Sequence, residues 1–508
     1  MARSNDPTNG MLTINATDRA RFPTAPHLRR ADGRTPLPPT MALVPEPRLQ
    51  VSARLDRLPF TRKHGRVLFG SGLGWALDAM DVGLISFIIA ALAQHWGLDR
   101  GETGLIASVG FAGMAIGASV GGLLADRLGR RQVFALTLLV FGIATGASAL
   151  VGGIAALLVL RFLAGLGLGA ELPVASTYVS ELAPARMRGR VIVILEAFWA
   201  IGWTVSALVG YFVVPVGENG WRWAFVIGAV PALYALTVRW GLPESPRWLA
   251  GRGRLEEADR IVASFEADAE RALTRGPLAS APTAAPRDAE PTAPTAPSEP
   301  TGAPLATTAR DRLAALWSTE FRGRTLSIWL VWFCVNFAYY GAFIWIPSIL
   351  VDAGFSLVRS FGFTLIITLA QLPGYAVAAW LIEVWGRRAT LSVFLVGSAG
   401  SAVFFGMAQS EGTIIAAGML LSFFNLGAWG ALYAVTPELY PTSLRGTGAG
   451  WAAGFGRIAS ILAPLLVPVM LRAGGAGLAF SVFAGFFVVA AIATWGLIDR
   501  SGVALDER

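Results

Sequence analysis

The sequence predicts an all-α membrane protein whose twelve transmembrane helices form two pseudo-symmetric halves of six. Hydrophobic residues make up 54% of the 508 positions and charged residues only 15%, and the mean hydropathy is +0.56. A soluble globular protein of this length is far less apolar. Apolar stretches of about 20 residues, the length at which a helix crosses about 30 Å of hydrocarbon, recur along the chain. Two short motifs also recur at one constant offset, which indicates an internal duplication.

Twelve apolar stretches are long enough to be spans, and the middle of the chain separates them six and six. A Pro/Ala/Thr tract at 276–309 and a Pro/Arg-rich segment at 1–60 cannot bury a core, so we expect both to be disordered. Residues 253–273 have apolar side chains at helical spacing, which predicts a cytoplasmic helix. The predicted spans are 67–94, 105–125, 132–151, 156–182, 189–214, 221–241, 325–351, 360–383, 389–409, 412–438, 446–471 and 476–498.

These features divide the chain into five segments. We expect a disordered cytoplasmic tail at 1–62, a six-helix bundle at 63–248 and a cytoplasmic linker at 249–322. A second six-helix bundle at 323–498 and a cytoplasmic tail at 499–508 follow.

The duplication rests on two pairs of matching motifs. DRLGRR at 126–131 matches EVWGRR at 383–388, and SELAPARMRG at 180–189 matches PELYPTSLRG at 437–446; the second copy lies 257 residues after the first in both cases. Two parallel six-helix repeats with a ligand between them near the midplane are the architecture of an alternating-access transporter.

Basic residues cluster in loops that follow even-numbered spans, for example at Arg127, Arg186, Arg387 and Arg445. The loops that follow odd-numbered spans carry few basic residues. By the positive-inside rule this places both termini in the cytoplasm. The net charge of +8 therefore reflects topology, and we expect no nucleic-acid binding. The single cysteine, Cys334, lies inside a span, so no intramolecular disulfide is predicted.

An enzyme is the least favoured class. The sequence contains no nucleotide-binding P-loop and no cluster of metal-ligating residues, and its three histidines lie outside the spans or at an edge. We therefore expect no catalytic site, no cofactor and no metal, with an ion gradient or diffusion as the driving force.

Several motifs resemble those of a known superfamily. GLLADRLGRR at 122–131 resembles the signature loop between spans 2 and 3 of major facilitator transporters, and RFLAGLGLG at 161–169 resembles their span 4 motif. PESPR at 243–247 and PELYP at 437–441 resemble the sugar-porter and organic-ion branches. The resemblance covers about 67–250 and 320–498 and implies the major facilitator fold. The second loop copy departs from the pattern at Ala379 and Glu383.

The same motifs place carboxylates beside arginines at helix ends. We expect Asp126 to pair with Arg130, Glu181 with Arg188, and Glu438 with Arg445, and such pairs latch a cytoplasmic gate in the outward-facing state. The alternative is that they only satisfy helix termini and fix the topology. The predicted gate residues are Asp126, Arg130, Glu181, Arg188, Glu244, Arg247, Glu383, Arg387, Glu438 and Arg445.

Ionisable residues inside the spans are candidate functional residues, because a charge at the centre of a membrane helix costs about 2.5–3.5 kcal/mol on the insertion scale. The alternative is that they bond one helix to another. The 257-residue offset places an arginine, several carboxylates and several aromatic residues in one mid-membrane layer. Such a layer can hold a planar ring between aromatic faces and pair its carboxylate with a guanidinium. The ionisable residues are Asp78, Asp81, Arg161, Glu171, Glu196 and Arg457.

Three further stretches resemble the bacterial niacin (nicotinate) transporter family, which is similar to the synaptic vesicle glycoprotein 2 family and to organic anion transporters. They are GWALDAMDVGLISFIIAAL at 74–92, GLGLGAELPVASTYVSE at 165–181 and GRVIVILEAFWAIGW at 189–203. The resemblance implies an aromatic ligand pocket and a span 11 arginine, Arg457, that serves anionic substrates. The predicted substrate-binding residues are Arg457, Trp199, Trp332, Tyr339, Tyr340, Asn336, Trp429, Tyr433, Asp78 and Glu171.

Proton-coupled sugar porters pair a span 1 aspartate with the span 4 arginine, and the motifs put Asp81 and Arg161 in those positions. The resemblance implies that protonation of Asp81 releases this pair. Glu196 is the third predicted proton-coupling residue.

The sequence thus predicts a secondary active transporter that imports nicotinate, or a similar small aromatic carboxylate, together with protons. We expect a monomer in the lipid bilayer of the bacterial inner membrane. A sugar porter, suggested by PESPRWL, is disfavoured because span 7 lacks paired glutamines and the chain lacks a PETKG tail. Another organic anion transporter and a non-transporting membrane receptor remain as alternatives.

Overall fold

The computed structural model describes residues 46–274 and 309–497, which are almost entirely helical. The first part comprises α1 (Glu46–Arg57), α2 (Arg62–Trp96), α3 (Arg100–Leu128), α4 (Arg130–Ala147), α5 (Ile154–Leu182), α6 (Arg188–Phe212), α7 (Gly220–Ile227), α8 (Val230–Gly241), α9 (Pro246–Gly251) and α10 (Leu255–Thr274). The second comprises α11 (Ala309–Leu316), α12 (Arg322–Phe343), α13 (Ile346–Asp352), α14 (Leu357–Leu369), α15 (Gln371–Trp385), α16 (Arg387–Met407), α17 (Glu411–Val435) and α18 (Thr442–Ala493).

Eleven helical stretches in the described part of the chain are long and apolar enough to cross a membrane. Helices α7 and α8 together form one of them, and α14 and α15 form another. The outside of the bundle exposes many large apolar side chains, as a surface that meets lipid requires. The predicted membrane protein is confirmed.

The last of these stretches, Gly446–Gly496, contains two predicted spans. Its 51 residues would measure about 75 Å as one straight helix, more than twice the hydrocarbon thickness of a bilayer. Gly474 and Gly475 break it with non-helical backbone angles, and Gly475 has a φ of 66°. Helix α18 therefore holds spans 11 and 12, and the predicted twelve-span fold is confirmed.

Predicted span 7 is interrupted. The expected continuous span over 325–351 consists of α12, which ends at Phe343, and the separate helix α13, which has Pro347 in its first turn. Proline lacks the backbone N–H that would continue the helical ladder, and it favours the start of a new helix.

The two halves repeat each other in backbone conformation. Gly129 and Gly386, 257 residues apart, directly precede α4 and α16 and have φ values of 107° and 85°. Glycine adopts such positive values without steric cost. The arginine that follows each glycine also bonds to a glutamate 51 residues further along the chain. The structure therefore supports the predicted duplication at the level of individual contacts.

Helices α3 and α5 pack closely because glycines remove side chains from their interface. A Cβ atom at Gly113 or Gly117 of α3, or at Gly165 or Gly169 of α5, would contact the backbone of the opposite helix. Small residues serve this purpose in membranes, where close backbone approach provides the van der Waals contact that holds helices together.

The two halves meet on the side of the membrane part away from the motif end, which we define as the helix ends that carry GLLADRLGRR and PELYP. Arg100 forms an ion pair with Asp352 at 2.9 Å. Ser108 donates a hydrogen bond to the carbonyl of Ile461 at 3.0 Å. A further hydrogen bond between the halves lies near the midplane and belongs to the candidate site.

Helix α1 departs from the sequence prediction, since residues 46–57 fall within the tail that we expected to be disordered. Its apolar side chains Val51 and Leu55 are buried against Leu249 of α9 and Val262 of α10. Val51 and Leu55 are four residues apart, which places them on one face of a helix, so the sequence did contain a pattern that indicates this helix. The helix expected over 253–273 is confirmed as α10. Predictions that fall on residues 1–45, 275–308 and 498–508 lie outside the described residues.

Charged contacts add to the packing of α1. Arg54 forms ion pairs with Asp259 and Glu266 of α10, both at 2.8 Å. The hydrogen bond from Arg54 holds the pKa of the Glu266 carboxyl below its ordinary value. Because these groups are partly exposed to solvent, we expect each pair to contribute no more than about 1 kcal/mol.

The glycine interface predicts a stability effect that depends on position. Gly117→Ala would press a methyl group against the carbonyl of Leu166, which belongs to a rigid helix backbone. We expect it to lower the free energy of unfolding by about 1–3 kcal/mol, the usual cost of overpacking. The measurement is the thermal unfolding midpoint in detergent.

Gly122→Ala, further along the same helix, is the matched control because a Cβ there meets open space. It should be neutral or stabilise the protein by up to about 1 kcal/mol through helix propensity. A Gly117→Ala protein that unfolds at the wild-type temperature would contradict the proposed interface.

Candidate substrate and proton site

Asp81 and Arg161 form a deeply buried ion pair between α2 and α5. Nη1 of Arg161 donates to Oδ2 of Asp81 at 3.0 Å, and both side chains are at most 5% exposed. Thr145 of α4 donates its hydroxyl proton to Oδ1 of Asp81 at 2.6 Å and accepts from Nη2 of Arg161 at 2.6 Å. The three side chains therefore close a ring of hydrogen bonds. Thr145 was not predicted, because no charge distinguishes it within its span.

A small cavity of ≈ 30 Å³ adjoins this ring. Asp81 and Arg161 line it together with Gly110, Phe111 and Met114 of α3. A water molecule needs a space of about 10–15 Å³, so the cavity has room for one or two. Water at this position would give the ion pair a partner for proton exchange.

Asp78 lies one turn before Asp81 and faces a second carboxyl group, that of Glu171 on α5. The two carboxyls are within hydrogen-bonding reach of each other. Asp78 is 1% exposed and Glu171 is 0% exposed. Among the described residues, no other group donates a hydrogen bond to their four oxygens. Sequence reasoning placed both residues in the substrate layer but did not predict that they meet.

Arg457 of α18 is half-buried at the interface between the halves. Its Nη1 donates to the hydroxyl of Tyr340 at 3.3 Å. Its charge also acts on Asp78 and Glu196, but no described carboxylate is close enough to form an ion pair with it. A guanidinium in this condition can bind an anion through two parallel N–H bonds.

Aromatic rings surround the position next to Arg457. Trp429 of α17 lies at the centre, and its ring centroid is 5.0 Å from that of Tyr339, 6.1 Å from those of Trp332 and Tyr340, and 6.2 Å from that of Tyr433. Offset and edge-to-face arrangements at these distances are favourable. The structure thus brings five of the predicted aromatic residues into one cluster.

Trp199 joins the cluster from the first half. Its indole N–H donates to the hydroxyl of Tyr339 at 3.1 Å, which links α6 to α12 across the interface. Trp75 of α2 packs against Trp199 with a centroid distance of 5.0 Å. The aromatic cluster therefore includes side chains from both halves, and Trp75 is a member that the sequence did not single out.

Two predicted site residues have surroundings different from those expected. The Asn336 amide donates to the carbonyl of Trp332 at 2.7 Å and accepts from Ser460 at 3.0 Å, so it joins α12 to α18. Glu196 was grouped with the proton-coupling pair, but the structure places it beside Arg457 and Trp75.

At the motif end, the expected pair of Asp126 and Arg130 is present at 2.8 Å. The expected pair of Glu181 and Arg188 is wrong. Glu181 instead accepts from Arg130 at 3.1 Å, because the start of α4 lies beside the end of α5. Arg188, the first residue of α6, instead forms an ion pair with Asp56 of α1 at 2.9 Å.

Asp56 also accepts from Arg247 at 2.6 Å. In the second half, Glu438 pairs with Arg387 at 2.7 Å and repeats the arrangement of the first half. The expected partner of Glu438 was Arg445, whose side chain lies outside the described part of the structure.

Glu244 accepts from backbone N–H groups at the start of α4 and just before α9, so it caps helix ends. Glu383 is exposed, and the described ion pairs do not include it. All of these motif-end pairs lie within one half of the protein.

Comparison with known proteins agrees with this architecture. A family model described as "Sugar (and other) transporter" matches residues 74–499. The chain belongs to this transporter family. It is therefore a multi-pass membrane transporter of the major facilitator superfamily rather than an enzyme.

Two similar proteins have named substrates. The chain is 46% identical over 425 residues to the niacin transporter NiaP of Acinetobacter baylyi. The alignment covers 84% of this chain and 91% of that protein. The chain is 30% identical over 462 residues to the 4-hydroxybenzoate transporter PcaK of Pseudomonas putida, covering 90% of this chain and 96% of that protein. The expected similarity to synaptic vesicle proteins is also found, at 28% identity.

Solved structures confirm the fold. The xylose transporter XylE of E. coli, in a partially occluded inward open conformation, superposes with a TM-score of 0.68. The alignment covers 87% of this chain and 100% of that one, at 19% identity. Identity at this level speaks for the fold alone.

The buried ring of Asp81, Thr145 and Arg161 predicts non-additive effects on stability. Asp81→Asn leaves the Arg161 charge uncompensated, and breaking a buried pair from one side costs about 3–5 kcal/mol. Asp81→Asn combined with Arg161→Met removes that charge, so we expect the double variant to unfold at a higher temperature than Asp81→Asn alone. Thermal unfolding of the four proteins of this cycle tests the coupling, and strictly additive shifts would contradict it.

Proposed function

We propose that this transporter imports nicotinate, or a similar small aromatic carboxylate, by alternating access. A proton gradient drives the uptake. The observation that carries the proposal is the Arg457 guanidinium, which has no ion-pair partner among the described residues and lies beside an aromatic cluster. The substrate names of the two curated relatives, niacin and 4-hydroxybenzoate, fit this chemistry.

Arg457 binds the substrate carboxylate, and the rings of Trp429, Tyr340 and Trp199 hold the planar ring of the substrate. Arginine suits this role because its planar fork matches the geometry of a carboxylate. The aromatic rings provide apolar contact area together with a defined stacking geometry. Since Trp199 comes from the first half and Arg457 from the second, the site is complete only where the halves meet.

The ring of Asp81, Thr145 and Arg161 is the proposed proton-coupling device. When Asp81 binds a proton, its attraction to Arg161 is lost and α2 and α5 are free to shift. The adjoining cavity supplies the space through which water delivers the proton.

We further propose that the motif end faces the cytoplasm of a bacterial cell and that the protein works as a monomer in the inner membrane. The distribution of arginines supports this orientation. The hydrogen bonds that Arg100, Ser108 and Trp199 form with the other half then lie toward the outside and at the midplane, where an inward-facing transporter is closed. In that state the motif-end pairs, which we propose to act in gating, are confined to their own halves.

A sugar is the second candidate substrate. Gln371 and Asn425 are completely buried in the second half, and their side-chain amides have no hydrogen-bond partner among the described residues. Free amides of this kind bind hydroxyl groups. Competition between labelled nicotinate and xylose for uptake into proteoliposomes distinguishes the two candidates.

The carboxylate anchor gives the first functional prediction. Arg457→Ala should weaken nicotinate binding by at least about tenfold, because truncating one partner of a buried charged contact costs about 2–5 kcal/mol and 1.4 kcal/mol is a factor of ten. Binding of neutral nicotinamide should change much less. Isothermal titration of the purified protein with both ligands measures the difference.

Arg472→Ala is the matched control, because Arg472 is an exposed arginine on the same helix α18. It should bind both ligands as the wild type does. Unchanged nicotinate affinity in Arg457→Ala would overturn the anchor role.

The coupling role of Asp81 gives a second functional prediction. Asp81→Asn should retain exchange of labelled for unlabelled nicotinate across proteoliposomes, because exchange needs no net proton movement. It should lose accumulation driven by an imposed pH gradient. Undiminished accumulation in this variant would show that the proton is carried elsewhere.

A further inference from the structure

The position of the Glu171 carboxyl is fixed by the helix that it faces. Oε1 of Glu171 lies 2.9 Å from the point that a Cβ of residue 74 would occupy, and only glycine leaves that space free. The ring of Phe134 fills the same region from α4, 2.7 Å from that point. Gly74 lies one turn before Asp78 on α2. The Glu171 carboxyl is therefore held between α2 and α4, against Asp78.

Two buried carboxyl groups in contact cannot both carry a negative charge without compensation. Asp78 and Glu171 are essentially inaccessible to solvent, and no other described group donates a hydrogen bond to their oxygens. Repulsion and desolvation both favour a state in which one carboxyl keeps its proton and donates it to the other. That single proton would form a hydrogen bond between the two carboxyl groups.

We propose that Asp78 and Glu171 form a proton-sharing carboxyl pair, a second proton-binding site separate from the Asp81 ion pair. No covalent chemistry is involved: one O–H bond persists in the resting pair, and a further proton comes from water when the pair becomes fully protonated. Asp81 differs because the Arg161 guanidinium neutralises its charge and the Thr145 hydroxyl donates a hydrogen bond to it.

Other ionisable groups face the pair and set its charge balance. Asp81 adds negative charge from the same helix, and Arg457 adds positive charge from α18. The groups around the pair and around Arg457 are Asp81, Tyr234, Glu196, Tyr340 and Arg457. Of these, only Arg457 is a cation, and it is also the group that we propose binds the substrate.

Arg457 therefore links the carboxyl pair to the substrate site. This link rests on the proposed function, in which Arg457 binds the substrate carboxylate. A substrate carboxylate bound to Arg457 offsets the positive charge that stabilises ionised Asp78. Anion binding and protonation of the pair therefore favour each other, and the effect is reciprocal by thermodynamic linkage. The pair would accordingly take up a proton as the anion binds.

Infrared spectroscopy of the ligand-free protein tests the shared proton directly and does not depend on the substrate. A protonated carboxyl group has a C=O stretching band that shifts in D₂O. We expect this band in the difference spectra of wild type minus Asp78→Asn and of wild type minus Glu171→Gln. Asp81→Asn is the matched control, since its difference spectrum should show loss of a carboxylate but no protonated carboxyl.

Two measurements guard against misfolded variants. Each protein is first required to elute as a single species from size exclusion. The wild-type band is also followed by itself while the pH is raised, and it should disappear as the pair loses its proton. A wild-type protein without such a band, or variants that both retain it unchanged, would overturn the proposal.

Calorimetry then tests the link to the substrate. Titration of nicotinate in two buffers of different ionisation enthalpy gives the number of protons taken up per anion bound. We expect uptake in the wild type and a clear reduction in Glu171→Gln. Binding with equal proton uptake in both proteins would overturn the link while leaving the proposed substrate intact, and absence of any nicotinate binding would instead overturn the proposed function.

Discussion

A charge placed inside a membrane must be neutralised where it lies, because no water is there to solvate it. The first half of this protein meets that requirement with fixed partners. Arg161 bonds to Asp81 and Thr145, and Asp78 faces Glu171, with which we propose that it shares a proton. Arg457 in the second half is the exception, with only a tyrosine hydroxyl as a described hydrogen-bond partner. The function that we propose follows from this imbalance.

The division of labour between the halves follows from the same constraint. The buried carboxyl groups of the membrane part lie on α2, α5 and α6, whereas Arg457 and most rings of the aromatic cluster lie on α12, α17 and α18. Under the proposed function, neither half contains a complete site. A transporter built in this way forms its binding site by apposition of the halves, so movement of one half against the other changes affinity and access together.

Much of this organisation could be read from the sequence. The spans and the repeat were predictable from apolar length and motif spacing, and the pairing of Asp81 with Arg161 was predictable from the resemblance of their motifs to those of proton-coupled sugar porters. Contacts that depend on helix rotation were not. The sequence could not show that Glu171 faces Asp78, that Thr145 closes the ring, or that Glu181 bonds to Arg130 rather than Arg188, because several partners lie at similar spacing. Helix α1 was missed because its short apolar face lies within a polar, proline-containing segment.

The paired bonds of Arg130 to Glu181 and of Arg387 to Glu438 have a mechanical consequence. Each joins the first turn of one helix to the far end of a helix in the same half, so each half is braced internally and can move as a rigid body. The difference in free energy between conformations must then lie mainly in the contacts between the halves, such as that of Arg100 with Asp352. Substitutions at the contacts between the halves would therefore change the turnover rate during evolution without altering the chemistry of the binding site.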